Sequence, residues 1–171
     1  PFFVYLSYYA VHNPMQAKEP MVEYFSDKAD SLGITDIEAF TREKDWIRLA
    51  PKGDFKERLM HSYPVYAAMI KSVDENLGKL LDKLEELGID ENTIIFFTSD
   101  NGGLSTSEGS PTCNYPLRAG KGWLYEGGIR VPLIVKALGI INKPSVTDVP
   151  VSTIDYFPTI LEIASVPAKN Y

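Results

Sequence analysis

The sequence predicts an α/β fold, part of a doubly wound, mostly parallel sheet flanked by helices, on three observations. Two short runs, residues 2–8 and 93–98, are β-branched and aromatic, as strands buried on both faces are. Between them lies a long segment whose apolar residues recur at three- and four-residue steps, the period of an amphipathic helix. The resulting order of strand, helix and strand is that of a parallel pair joined by a crossover.

Taken in order, residues 2–8 form a predicted central strand that ends at Tyr9-Ala10-Val11-His12-Asn13-Pro14. Residues 15–61 are charged and interrupted by Gly33, Pro51 and Gly53; two short helices without clear bounds are expected there. From Ser62 the helical period sharpens through Tyr66, Met69, Val73, Leu77, Leu84 and Leu87, with Asp74, Lys79, Asp82 and Glu86 on the other face. Ser62 is its predicted N-cap, Pro64 lies in its first turn and Gly88 is its C-cap. Strand 93–98 follows, then a glycine- and proline-rich loop and a further predicted buried strand over 129–135. A second amphipathic helix starts at Ser152, carrying Ile154, Phe157, Ile160 and Leu161.

The composition bounds the function. At 171 residues, 44% hydrophobic and 12% aromatic, the chain is globular and within the range of one domain. Its formal net charge of -6 gives no electrostatic reason to bind nucleic acid. Apolar runs are short and broken by charge, so no signal peptide or membrane span is expected. Pro1 opens directly into a predicted strand, so the chain is expected to be a fragment or a processed piece. Cys113 is the single cysteine, which rules out an internal disulfide.

Two hard oxygen donors, Asp100 and Asn101, stand at the carboxyl end of strand 93–98, where open α/β sheets place their ligand sites. A carboxylate beside an amide oxygen suits calcium or magnesium, although Asp-Asn-Gly-Gly is also ordinary turn chemistry. Lys121, between Gly120 and Gly122, offers an ammonium to an anionic oxygen, or a solvated surface charge. The loop is not a P-loop, since Gly-x-x-x-x-Gly-Lys-[Ser/Thr] is absent. His12 shares the strand-end edge with Asp100 and is the better of two histidines for acid-base or anion contact; His61 is assigned a structural role. Cys113 has no identifiable base beside it and is expected to be chemically neutral. Glu126 and Arg130 are expected to pair and brace their loop.

Together these motifs resemble the sulfatases of the alkaline-phosphatase superfamily. The resemblance runs from residues 1–6 leading to His12-Asn13-Pro14, through Tyr66-Ala67-Ala68-Met69-Ile70 and Asp74, to Thr98-Ser99-Asp100-Asn101-Gly102-Gly103. Its most specific pieces are Pro116-Leu117-Arg118-Ala119-Gly120-Lys121-Gly122 and Tyr125-Glu126-Gly127-Gly128-Ile129-Arg130-Val131-Pro132; Val151-Ser152-Thr153-Ile154-Asp155-Tyr156-Phe157-Pro158-Thr159 closes it. It is weak between about residues 15 and 60. It implies an alkaline-phosphatase-like sulfatase core, incomplete here, with residues 1–171 a partial catalytic domain.

It also implies roles: Asp100 and Asn101 as ligands to one divalent cation, usually calcium, Lys121 as the group holding the sulfate, and His12 as its contact near the leaving-group oxygen. The nucleophile of such enzymes is a formylglycine made within Cys/Ser-x-Pro-x-Arg, a motif this sequence lacks; Cys113-Asn114-Tyr115-Pro116-Leu117-Arg118 has the wrong spacing. The formylglycine, the first acidic metal ligands, a second lysine and histidine, and the C-terminal subdomain are therefore expected outside this chain. The implied function is hydrolysis of a small-molecule or carbohydrate sulfate ester by the full-length protein, the chain alone being inactive. The alternatives are a phosphatase or phosphodiesterase of the same superfamily, disfavoured by an oxygen donor at Asn101, and a non-catalytic binding fragment. Substrate identity and oligomeric state stay open, and the family alone suggests a periplasmic, extracellular or lysosomal location.

Overall fold

The structure, a computed structural model, describes residues 1–42, 56–141 and 143–167. The chain divides into two compact units, Pro1–Gly139 and Ile140–Tyr171. In the first, helix α1 (Glu19–Ser31) is followed by strands β1 (Phe40–Arg42) and β2 (Lys56–Arg58), helix α2 (Pro64–Glu86), strand β3 (Ile94–Thr98), a single helical turn α3 (Glu126–Ile129) and strand β4 (Leu133–Ala137). The second contains α4 (Thr153–Ile163).

The two helices of the first unit pack on each other and end alike. Gly88, at φ +63°, closes α2 with its N–H on the Glu85 carbonyl, and Ile89 N–H reaches back to Leu84. Gly33, at φ +64°, closes α1 through the same two bonds, to Asp30 and Ala29. Both are the paired 5→2 and 6→1 bonds that a left-handed residue after the last turn permits. Pro64 does open α2, but the N-cap is Tyr63 and not Ser62. The Ser62 hydroxyl instead accepts a 2.9 Å bond from Arg58 Nη1. Ala68, Met69 and Leu84 are the buried residues of α2, while Ile70 and Leu80, and Leu87 just past its last turn, are exposed.

Among the described residues of the region expected to hold two helices there is one, α1, and then the antiparallel β1–β2 pair; residues 43–55, with Pro51 and Gly53, lie outside the described residues. Arg58 anchors that pair. Its guanidinium is buried, with Nε donating to the Ser110 carbonyl at 2.5 Å and the Phe40 ring 4.5 Å away, and burial lowers its pKa. Its backbone N–H donates to Ser105 at 2.9 Å, fastening the pair to the loop that follows β3.

The structure corrects three expectations about strands. Strand 93–98 is present as β3, but its described ladder runs antiparallel to β4, with Ile94 opposite Ala137 and Thr98 opposite Leu133. A continuous apolar run reports which faces are covered, not which way the neighbour runs. The strand expected over 129–135 begins four residues later, because Glu126–Ile129 forms a helical turn and Pro132, without an N–H, stands before the first paired residue. Residues 2–8 join no described ladder: Phe3 and Tyr5 are 73% and 84% exposed. Strand propensity measures fit to a half-buried pleated surface, and without paired neighbours it makes no strand.

In the second unit, the N–H of the N-cap Ser152 donates to Asp155 Oδ2 at 2.7 Å and the Asp155 N–H returns to the Ser152 carbonyl at 2.9 Å. The start predicted at Ser152 is thus reproduced to one residue. Ile154 and Phe157 are exposed.

Candidate functional site

The site grows from the end of β3. Thr98 Oγ1 donates to the Pro132 carbonyl at 2.9 Å, holding the strand end against the approach to β4. Ser99 Oγ donates to the Asn101 carbonyl at 2.9 Å, which bends the chain and leaves the Asp100 side chain exposed. Asn101 Nδ2 donates to the Gly102 carbonyl at 3.0 Å, so among the described residues its Oδ1 is left without a donor. Gly102 then meets α3: its N–H donates to the Gly128 carbonyl at 2.9 Å, and a Cβ there would lie 1.7 Å from the Gly127 oxygen. Only glycine permits that approach.

The lysine loop is pinned to the same segment. Lys121 N–H donates to the Gly103 carbonyl at 3.0 Å, and Gly127 N–H to Arg118 at 2.8 Å. A Cβ on Gly120 would stand 2.2 Å from the Gly103 oxygen. Around the loop, the Arg118 guanidinium lies 3.7 Å from the Tyr125 ring centre and Trp123 Nε1 donates to Thr106 Oγ1 at 3.0 Å. Glu126 and Arg130 pair at 3.2 Å as expected, both exposed.

His12 arrives from the far end of the sequence. Its Nδ1–H donates to the Asn13 carbonyl at 2.9 Å, since a carbonyl can only accept, which leaves Nε2 as the end turned away from Asn13. That Nε2 lies 2.9 Å from Lys121 Nζ, whose ammonium donates to it. Tyr9 and Glu108 fix the turn that presents the ring. The Tyr9 hydroxyl donates to the Asn13 carbonyl at 2.6 Å, and Asn13 Nδ2 donates to Glu108 Oε2 at 2.8 Å. Sequence reasoning missed Asn13 and Glu108 as supports; Asn13 read as part of a strand-ending turn, and nothing in the sequence links it to Glu108.

Thus His12 is brought onto Lys121, and the Lys121 backbone onto the Asp100–Gly103 segment through Gly103. The donor chemistry fits a hard cation in part. Asp100 and Asn101 offer two oxygen sites of the six to eight that calcium takes. Among the described residues no cluster of three or more His, Cys, Asp or Glu could hold a metal by itself. Cys113 is buried, and burial pushes its thiol up despite the Tyr115 N–H that its Sγ accepts at 3.3 Å, the reverse of what an activated nucleophile requires. His61 is exposed and has no hydrogen-bond partner among the described residues, so the structural role assigned to it finds no support. A separate cavity of about 290 Å³, lined by Ser26, Asp30, Phe40, Arg58 and Ser62 among others, contains none of the four site residues.

The sequence model of the family described as "Sulfatase" matches residues 1–166. A "Sulfatase" of Formosa agariphila is 38% identical over 173 residues, covering 96% of this chain and 26% of that protein. "Arylsulfatase J" of Mus musculus is 32% identical over 164 residues, covering 96% of the chain and 22% of that protein. The crystal structure of "Ps i-CgsB in complex with k-i-k-neocarrahexaose" superposes with a TM-score of 0.72 at 31% identity, over 99% of this chain and 30% of that one. The chain therefore spans about a quarter of the length of the relatives it matches.

Proposed function

The chain belongs to the sulfatase family, and from that premise we propose that the whole protein hydrolyses sulfate esters, with this chain supplying half of the metal and sulfate site. The alkaline-phosphatase-like α/β fold of such enzymes is shared with the solved structures it resembles. The observation that carries the proposal is the 2.9 Å meeting of His12 Nε2 with Lys121 Nζ, across 109 positions of sequence. The sulfatase family works with a divalent cation and a formylglycine; when bound, these supply fixed positive charge and a nucleophilic hydroxyl. Asp100 and Asn101 would hold the cation through oxygen, which favours calcium.

The rest is the work of the chain's own residues. Lys121 presents its ammonium to the sulfate oxygens as a point charge, on a loop whose backbone cannot drift because Lys121 N–H is bonded to Gly103. His12 keeps its Nδ1 proton on the Asn13 carbonyl, so Nε2 is the end that takes a proton from solvent and gives it to the leaving alcohol's oxygen as the S–O ester bond breaks. Once Nε2 is protonated, imidazolium and ammonium repel each other, and an anion between the two turns that repulsion into a pair of donors. The nucleophile and the remaining ligands belong elsewhere in the whole protein, so the isolated chain should not turn over. The substrate class is a small-molecule or carbohydrate sulfate ester. The neocarrahexaose bound by the similar solved structure supports the carbohydrate side of that class.

The test is to express the full-length protein with a formylglycine-generating system and follow an aryl sulfate and the matching aryl phosphate, with calcium and with chelator. Faster sulfate cleavage that needs calcium and is lost in Asp100→Ala is the expected result. Preference for the phosphate would move the protein to the phosphatase branch of the superfamily.

A further inference from the structure

We infer that Asn114 is a positioning residue that locks the Asp100–Gly103 segment to the Lys121 loop, so that cation ligands and sulfate-binding ammonium keep a fixed relation. The inference rests on the sulfatase reading for its functional consequence, but its geometry stands alone. Asn114 is half-buried and sits between the two segments, with bonds to both. Its Oδ1 accepts from Gly103 N–H at 3.1 Å. Its Nδ2 donates to the Gly103 carbonyl at 2.7 Å, to the Ala119 carbonyl at 2.9 Å and to Ser105 Oγ at 3.2 Å. Two amide protons thus serve three acceptors, while the oxygen serves one donor.

The arrangement is specific to an amide of this length. Gly103 stands two residues after Asn101 of the ligand pair, and Ala119 two residues before Lys121. Gly103 is therefore grasped at both its N–H and its C=O, and that C=O also receives Lys121 N–H at 3.0 Å. Ser105 Oγ completes the ring by donating to the Ala119 carbonyl at 3.1 Å. The backbone is shaped around the amide: a Cβ on Gly120 would meet Asn114 Nδ2 at 2.6 Å, and one on Gly103 would meet Asn114 Oδ1 at 3.0 Å. An aspartate at position 114 would fill the same volume and still accept from Gly103 N–H. Its carboxylate would face the Gly103 and Ala119 carbonyl oxygens, with no proton to give either.

The full-length protein provides the test through Asn114→Asp and Asn114→Ala, read by amide hydrogen exchange and by calcium titration calorimetry. Exchange over residues 99–104 and 117–124 should quicken by about tenfold or more in both variants, with residues 64–86 of α2 unchanged. Calcium Kd should rise by about tenfold, as the ligand pair loses its fixed seat. If the alanine variant does not fold, the isosteric aspartate carries both readouts. Unchanged exchange in the two segments, or an equal rise in α2, would overturn the positioning role. Exchange does not depend on turnover. A wild type that fails to cleave sulfate while the exchange pattern holds would therefore sink the functional reading and leave Asn114 in place.

Discussion

Residues 99–128 and residues 1–8 differ in what holds them, and the difference runs against their composition. The N-terminal stretch is among the most apolar in the chain, yet Phe2, Phe3, Val4, Tyr5 and Leu6 are all exposed. Residues 99–128 are rich in glycine, serine and asparagine, and include Ser105, Ala119 and Gly120, all buried. Their order comes from backbone groups bonded to one another at Gly102–Gly128, Lys121–Gly103 and Gly127–Arg118, at glycine approaches no other residue permits. A site that must hold charged groups at fixed distances gains more from such directional bonds than from a greasy core, which is tolerant of position.

The largest effect is expected at Lys121. Lys121→Ala in the full-length protein should lower kcat/KM for a sulfate ester by about 10² or more, as loss of a preorganised charge does. A change below threefold would remove Lys121 from the site. Next comes the backbone. Gly120→Ala drives a Cβ to within 2.2 Å of the Gly103 oxygen and should cost about 1–3 kcal/mol in denaturant unfolding, with activity falling alongside. Gly109→Ala, at φ +85° but in open space, should cost only the left-handed conformation, about 1 kcal/mol. Equal losses for the two would mean that close approach is not what orders the loop. The smallest effect belongs to Glu126→Gln, which breaks an exposed pair in α3 and should change stability by about 0.5 kcal/mol or less.

How much of this was legible depended on whether the signal was local. The α2 helix was readable because Pro64 and Gly88 punctuate a 3.6-residue period, and α4 because Ser152 and Asp155 sit at capping spacing. Asp100, Asn101 and Lys121 were readable as chemistry because each carries its glycines beside it. What escaped is what needs a second segment to exist. The direction of β4 beside β3 is not written in either strand, and residues 2–8 carry strand propensity without a described partner. Asn114 read as one more polar loop residue, since its three partner residues come from two other stretches of chain.

In the proposed reaction His12 and Lys121 act on one and the same sulfate group. The most direct test is a double-mutant cycle of His12→Ala and Lys121→Ala in the full-length protein, read as kcat/KM on an aryl sulfate. Two groups that lie 2.9 Å apart and share a ligand should be coupled by about 1 kcal/mol or more, the double variant losing clearly less than the product of the single losses. Strict multiplication of the two losses would place His12 and Lys121 in separate tasks and rule out a shared sulfate.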